Sequence, residues 1–236
     1  MTDGSSSDLD IASAPSPNHD DRKGQTADIL LLHYTGMKSG AEALARLRDP
    51  AAKVSAHYLI EEDGSAFQLV PEARRAWHAG RSYWAGARDI NARSIGIELV
   101  NPGHEFGYRP FPEAQMQTLI ALCHGILAHH DIPAARVIGH SDVAPDRKQD
   151  PGELFDWERL AAEGIGLWPG NTDSAGAEAT DEATAKSRLA SFGYGVDDFP
   201  FDAVVTAFQR HFRPTSVTGQ FDADCAARLA ALLEQA

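Results

Sequence analysis

Short unbroken apolar runs dominate the first half of the chain, and helical stripes appear later. In DILLLHYTG, positions 29–32 are uniformly apolar and the run breaks at His33, which predicts a buried strand ending there. SGAEALARLRDP reads as a short helix stopped before Pro50. HYLIEEDGSAFQLV holds two strand-like runs around Asp63-Gly64, a pair favoured in a two-residue hairpin turn. RSIGIELVN predicts a further buried strand, apolar except for Glu98. In FPEAQMQTLIALCHGILAHHDIP, Pro112 stands at the start. Met116, Leu119, Ile120, Cys123, Ile126 and Leu127 then fall at helical spacing, which predicts a long amphipathic helix. ARVIGH predicts a short strand ending at His140. Strands and helices mix without strict alternation, so the expected fold is α/β, a mixed central β-sheet flanked by helices.

The ends of the chain follow other patterns. Residues 1–24 are rich in Ser, Asp and Pro and are expected to form a disordered tail. The main domain is expected over 25–168. From 169 to 183 the composition turns to Gly, Asn, Thr, Ser, Ala and acidic residues, a linker pattern. Over 184–236 three further helical stripes predict a small C-terminal three-helix domain. So short a piece supports a modest core, which suits a docking module.

Composition narrows the function classes. The formal net charge is −13, with no long run of Lys and Arg, which argues against nucleic acid or an anionic membrane surface as partner. No apolar stretch is long enough to span a bilayer. The first residues lack the apolar core of a secretory signal, so the expected location is the cytoplasm, with the periplasm as the alternative. Cys123 and Cys225 fall in different predicted domains inside apolar helical patterns. They read as small core residues and build neither a disulfide framework nor a cysteine-based metal site.

The chemistry concentrates in GHSDVAPDRKQDPG. Its Pro and Gly residues predict a loop, and it carries His140, Asp142, Asp146, Arg147, Lys148 and Asp150. A solvated turn accounts for such a stretch as readily as an active site does. His33 and His140 at predicted strand ends, with Asp150 on the loop, offer three ordinary zinc ligands and leave a fourth position for water. Such a set also arises by chance in chains of this length. Glu98 would be costly to bury on its apolar strand unless it is paired or used. Lys148, two residues before Asp150, stands where an ammonium could stabilise a developing oxyanion. Asp142 and Asp146 read as turn and capping residues.

LLHYTGM, SAHYLIEEDG, RAWHAG, SIGIELVN and GHSDVAPDRKQDPG occur in that order. Together they resemble the zinc-dependent N-acetylmuramoyl-L-alanine amidases of the AmpD-like type, the amidase_2 family. That family is shared with a phage lysozyme and the animal peptidoglycan recognition proteins. The resemblance covers about residues 25–168. SFGYGV, VVTAFQRHF and TGQFDADCAARLAALL resemble a three-helix peptidoglycan-binding domain over about 184–236.

The resemblance implies one Zn2+ per chain held by His33, His140 and Asp150. It implies Glu98 as general base and then acid, and Lys148 on the oxyanion. The implied substrate is a muropeptide or peptidoglycan, cut between N-acetylmuramic acid and the L-alanine of the stem peptide. The 1,6-anhydro form fits a recycling enzyme, and the C-terminal piece fits intact wall. All five site positions carry the expected residue types, which favours an enzyme over a non-catalytic muropeptide sensor; a zinc peptidase acting within the stem is a further alternative. Tyr34, His57, Trp77 and His78 fall in or beside the motifs and are expected to line the cleft or brace a ligand. His124, His129 and His130 read as a solvated helix face, and His19, His104 and His211 receive no role.

Overall fold

The computed structural model describes residues 9–170, 172 and 180–236. Its strands are β1 (Ile11–Ser13), β2 (His19–Asp21), β3 (Ile29–Tyr34), β4 (Tyr58–Ile60), β5 (Ala66–Gln68), β6 (Arg74–Ala76), β7 (Ser94–Leu99) and β8 (Val137–Gly139). Its helices are α1 (Gly40–Arg48), α2 (Ile90–Arg93), α3 (Gly103–Phe106), α4 (Glu113–His129), α5 (His140–Val143), α6 (Trp157–Ala162), α7 (Glu182–Phe192), α8 (Phe201–Phe212) and α9 (Ala223–Gln235). The central sheet runs β1-β5-β4-β7-β3-β8, and β2 pairs with β6 in a separate ribbon. Within the sheet all neighbours are parallel except β4 and β5. This is the mixed, helix-flanked sheet that the sequence pattern predicts.

The two-residue period of a strand assigns the faces. Leu30 and Leu32 on β3, with Ile95, Ile97 and Leu99 on β7, pack beneath α4 against Met116, Leu119, Cys123 and Ile126. Alternate residues turn to the opposite face, where two apolar clusters form. One joins Leu59 and Leu69 to Ala43 and Leu47 of α1. The other joins Ile29, Leu31 and Ile138 to Leu189, Val204, Val205, Phe208 and Leu229 of the C-terminal helices. His33 and Glu98 belong to this second face, as paired residues of adjacent strands.

Four expectations change. The segment expected as a disordered tail is ordered from residue 9: β1 extends the sheet and β2 closes on β6, while residues 1–8 lie outside the described residues. Arg22 explains why such a polar stretch stays in place. It is buried and donates to the carbonyls of Glu72, Ala92 and Ser94 at 2.8–2.9 Å. Second, the C-terminal helices do not close a core of their own, because their apolar stripe completes the sheet's second face. Much of the expected linker lies outside the described residues, and α7 begins at Glu182 with Asp181 as its cap. Third, β4 and β5 turn through three residues, closed by the Glu61 N–H on the Ser65 carbonyl, with Gly64 at φ 90°. Fourth, the loop after β8 is not wholly irregular: His140 opens α5 instead of ending the strand.

Candidate active site

Three elements deliver three ligand atoms to one point. His33 rides the end of β3, His140 the first turn of α5, and Asp150 the loop that follows. The loop is folded back by the Ser141 N–H on the Asp150 carbonyl at 2.9 Å. His33 Nδ1 lies 2.9 Å from His140 Nδ1 and 3.1 Å from Asp150 Oδ2, and His140 Nδ1 lies 2.9 Å from the same oxygen. All three side chains are buried.

Outer contacts settle where the ring hydrogens are. His140 Nε2 faces the Ala79 carbonyl at 3.1 Å, so it carries the hydrogen and Nδ1 bears a lone pair. On the other ring, Ser94 Oγ gives its hydrogen to the Ile90 carbonyl at 2.7 Å. It must therefore accept from His78 Nε2 at 3.3 Å. His78 Nδ1 is then the acceptor for His33 Nε2 at 3.0 Å, and His33 Nδ1 also bears a lone pair. Two lone pairs and a carboxylate thus point at one another with no hydrogen among them. That donor set is satisfied by a cation, and imidazole nitrogen with one carboxylate is a zinc-type set. These residues fit the metal that the resemblance implies, and they form a group able to hold an ion.

Electrostatics agree. Burial, then the neighbouring His140, lowers His33 to about 4, so it stays neutral as a ligand must. His78 is pushed well below its ordinary value by burial and then by His33 and His57. Burial alone would raise Asp150, yet the facing His140 and His33 hold it well below the usual carboxylate range. Glu98 moves the other way: burial, then the Asp150 charge, raises it well above its ordinary value, and Lys148 opposes this.

Glu98 and Lys148 line the same cleft as His140 and Asp150, with Tyr34, Trp77 and His78 on its walls. Glu98 Oε2 and Trp77 Nε1 are buried polar atoms with no hydrogen-bond partner among the described residues. Tyr34 lines the cleft and bonds His104 Nδ1 through its hydroxyl at 2.9 Å. His78 acts on His33. His57 does not reach the cleft: fully buried, it accepts the Gly96 N–H on Nδ1 at 2.9 Å and donates from Nε2 to the Arg74 carbonyl at 3.0 Å.

Three residues escaped the sequence reading. Ser94 fixes the His78 ring. Gly96 makes room for it, since a β-carbon there would lie 2.5 Å from the ring. His211 lies inside the C-terminal helices and bonds Asp142. Its signal was present in the sequence: with Val204 and Phe208 it falls on the buried stripe of α8. If the site holds a metal, Gly96→Ala is expected to push His78 off His33 and to weaken metal binding about tenfold, read by chelator competition. Unchanged affinity would show that His78 does not orient the ligand.

A mixed, mostly parallel sheet that brings two histidines and one carboxylate together as a group able to hold a metal ion, with a half-buried glutamate in the same cleft, is an arrangement suited to hydrolysis. The chain belongs to the N-acetylmuramoyl-L-alanine amidase (Amidase_2) family, whose model matches residues 23–153. It is 42% identical over 230 residues to the N-acetylmuramoyl-L-alanine amidase AmiD of Escherichia coli K12, covering 88% of this chain and 82% of that protein. It is 36% identical to the 1,6-anhydro-N-acetylmuramyl-L-alanine amidase AmpD of Enterobacter cloacae, over 65% of this chain and 90% of that one.

Among solved structures, the E. coli AmiD complex with anhydro-N-acetylmuramic acid-L-Ala-D-γ-Glu-L-Lys superposes with a TM-score of 0.79 at 38% identity. The match covers 94% of this chain and 91% of that one. AmpDh3 of Pseudomonas aeruginosa in complex with anhydromuramic pentapeptide gives 0.78 at 32% identity, over 99% and 98% of the two chains. Among the described residues no helix is long and apolar enough to cross a membrane.

Proposed function

We propose that this chain is a zinc amidase. It hydrolyses the amide between the lactyl carbonyl of N-acetylmuramic acid, in the 1,6-anhydro form, and the L-alanine of the stem peptide. The observation that carries this reading is the pairing of His33 with Glu98. A candidate metal ligand and a half-buried glutamate, whose Oε2 is buried without a partner among the described residues, sit side by side on one sheet face, in one cleft. The substrate form follows from the relatives, two of which are solved with anhydromuramyl peptides.

His33, His140 and Asp150 would hold the zinc, which, when bound, lowers the pKa of water toward neutrality and polarises the carbonyl. Glu98 Oε2 takes the proton from the attacking water. Burial raises the affinity of this carboxylate for a proton, so it keeps that proton until the alanine amine leaves and then returns it there. Lys148 supplies positive charge beside the developing oxyanion. Trp77 and Tyr34 form walls for the sugar and peptide, and the Trp77 indole N–H has no partner among the described residues.

Zinc-loaded protein incubated with an anhydro-muropeptide and, in parallel, with intact sacculi tests the reading by mass spectrometry of the products. The expected products are a stem peptide with a free L-alanine amine and an intact anhydro sugar, formed faster from the soluble substrate. Binding without any cleavage would make the protein a sensor. Cleavage inside the stem would make it a peptidase.

A further inference from the structure

The C-terminal helices hold the site from outside the cleft. Asp142 is fully buried on α5, two residues after the ligand His140. Its Oδ2 accepts the Gly139 N–H at 2.8 Å and His211 Nδ1 at 2.7 Å, and its Oδ1 accepts the Tyr194 hydroxyl at 2.6 Å. Three donors on one carboxylate from three segments make a short, charge-assisted set in a dry environment. His211 is itself held by stacking on Trp157 at 3.7 Å. The preceding residue, Arg210, lies 3.6 Å through Nε from Glu153, just past the far end of the same loop. Consecutive residues of α8 therefore contact both ends of the segment that carries His140 and Asp150.

We infer that His211 and Tyr194 are positioning residues for the metal centre, acting through Asp142 on the α5 turn that presents His140. The Ser141 N–H passes the same constraint to Asp150, through the bond to its carbonyl. The inference rests on the metal-site reading above and gives the C-terminal helices a task in the amidase centre that is separate from any grip on peptidoglycan. Outer partners of a ligand commonly change metal affinity 10- to 100-fold.

Full-length Tyr194→Phe, His211→Leu and His211→Asn test it. Tyr194→Phe removes one hydroxyl. The asparagine amide can stand in for Nδ1, and leucine cannot. Zinc affinity is read by competition with a chromophoric chelator, and the melting temperature is read separately on zinc-free protein. Tyr194→Phe and His211→Leu are expected to lose zinc affinity tenfold or more and to shift the visible spectrum of the cobalt-substituted protein. His211→Asn should recover part of the affinity. Variants that melt earlier but keep wild-type affinity and an unchanged cobalt spectrum would reduce the contacts to fold stability and overturn the inference. Wild-type protein that binds no zinc, with His140→Ala as reference, would instead defeat the metal-site reading itself.

Discussion

Glu98→Gln is expected to lower the turnover number by about 10²- to 10⁴-fold while zinc content and fold stay intact. The amide keeps the shape of the carboxyl group and cannot take a proton from water. The site predicts a second signature. Glu98 is raised well above its ordinary value, chiefly by burial. Between the unfolded and folded values the native state binds the extra proton, so stability falls as pH rises through that window. Glutamine removes this dependence. Zinc-free Glu98→Gln should therefore melt above zinc-free wild type at neutral pH, and the gap should close as pH falls toward 4, where the unfolded carboxyl also protonates. Turnover within a few-fold of wild type would remove Glu98 from the base role. A melting gap that widens on acidification would contradict its burial as an unpaired acid.

Stripping the proposed zinc is expected to have the second large effect. Dialysis against a strong chelator is expected to bring turnover to background, and stoichiometric zinc should restore it. Magnesium should not, because it prefers an all-oxygen shell over two imidazoles. Binding to the native state alone also stabilises it, by about 4 kcal/mol at a thousandfold excess over Kd. Calorimetry should show the zinc-free protein melting well below the zinc-loaded one. Full turnover from protein shown by elemental analysis to hold no metal would end the hydrolase mechanism proposed here.

Much of the site was legible because each of its residues breaks a local pattern. His33 ends an apolar run, Glu98 interrupts another, and His140 with Asp150 brackets a loop dense in charge. Strand and helix periods were equally local, so β3, β7 and α4 could be placed from the sequence alone. What escaped is long-range. β1 and β2 are three residues each, too short to show a strand period, and their pairing needs the edges that β5 and β6 offer. Arg22 reads as a surface residue until its acceptors, 50 to 72 positions away, are brought round it. Asp142 reads as a turn residue, and it is one. Its second task needs Tyr194 and His211, which lie 52 and 69 positions further along the chain.

The pairing of His33 with Glu98 across two parallel strands has a consequence for how such an enzyme diversifies. Neighbouring strands stand about 4.8 Å apart, a spacing set by main-chain hydrogen bonds and indifferent to the surrounding side chains. The offset between the proposed ligand and the proposed proton carrier is therefore inherited from the backbone lattice. The cleft walls at Arg46 and Trp77 come from α1 and the segment after β6, outside that pair of strands. Their sequence can drift toward new sugars or stem peptides while the reacting geometry keeps its register.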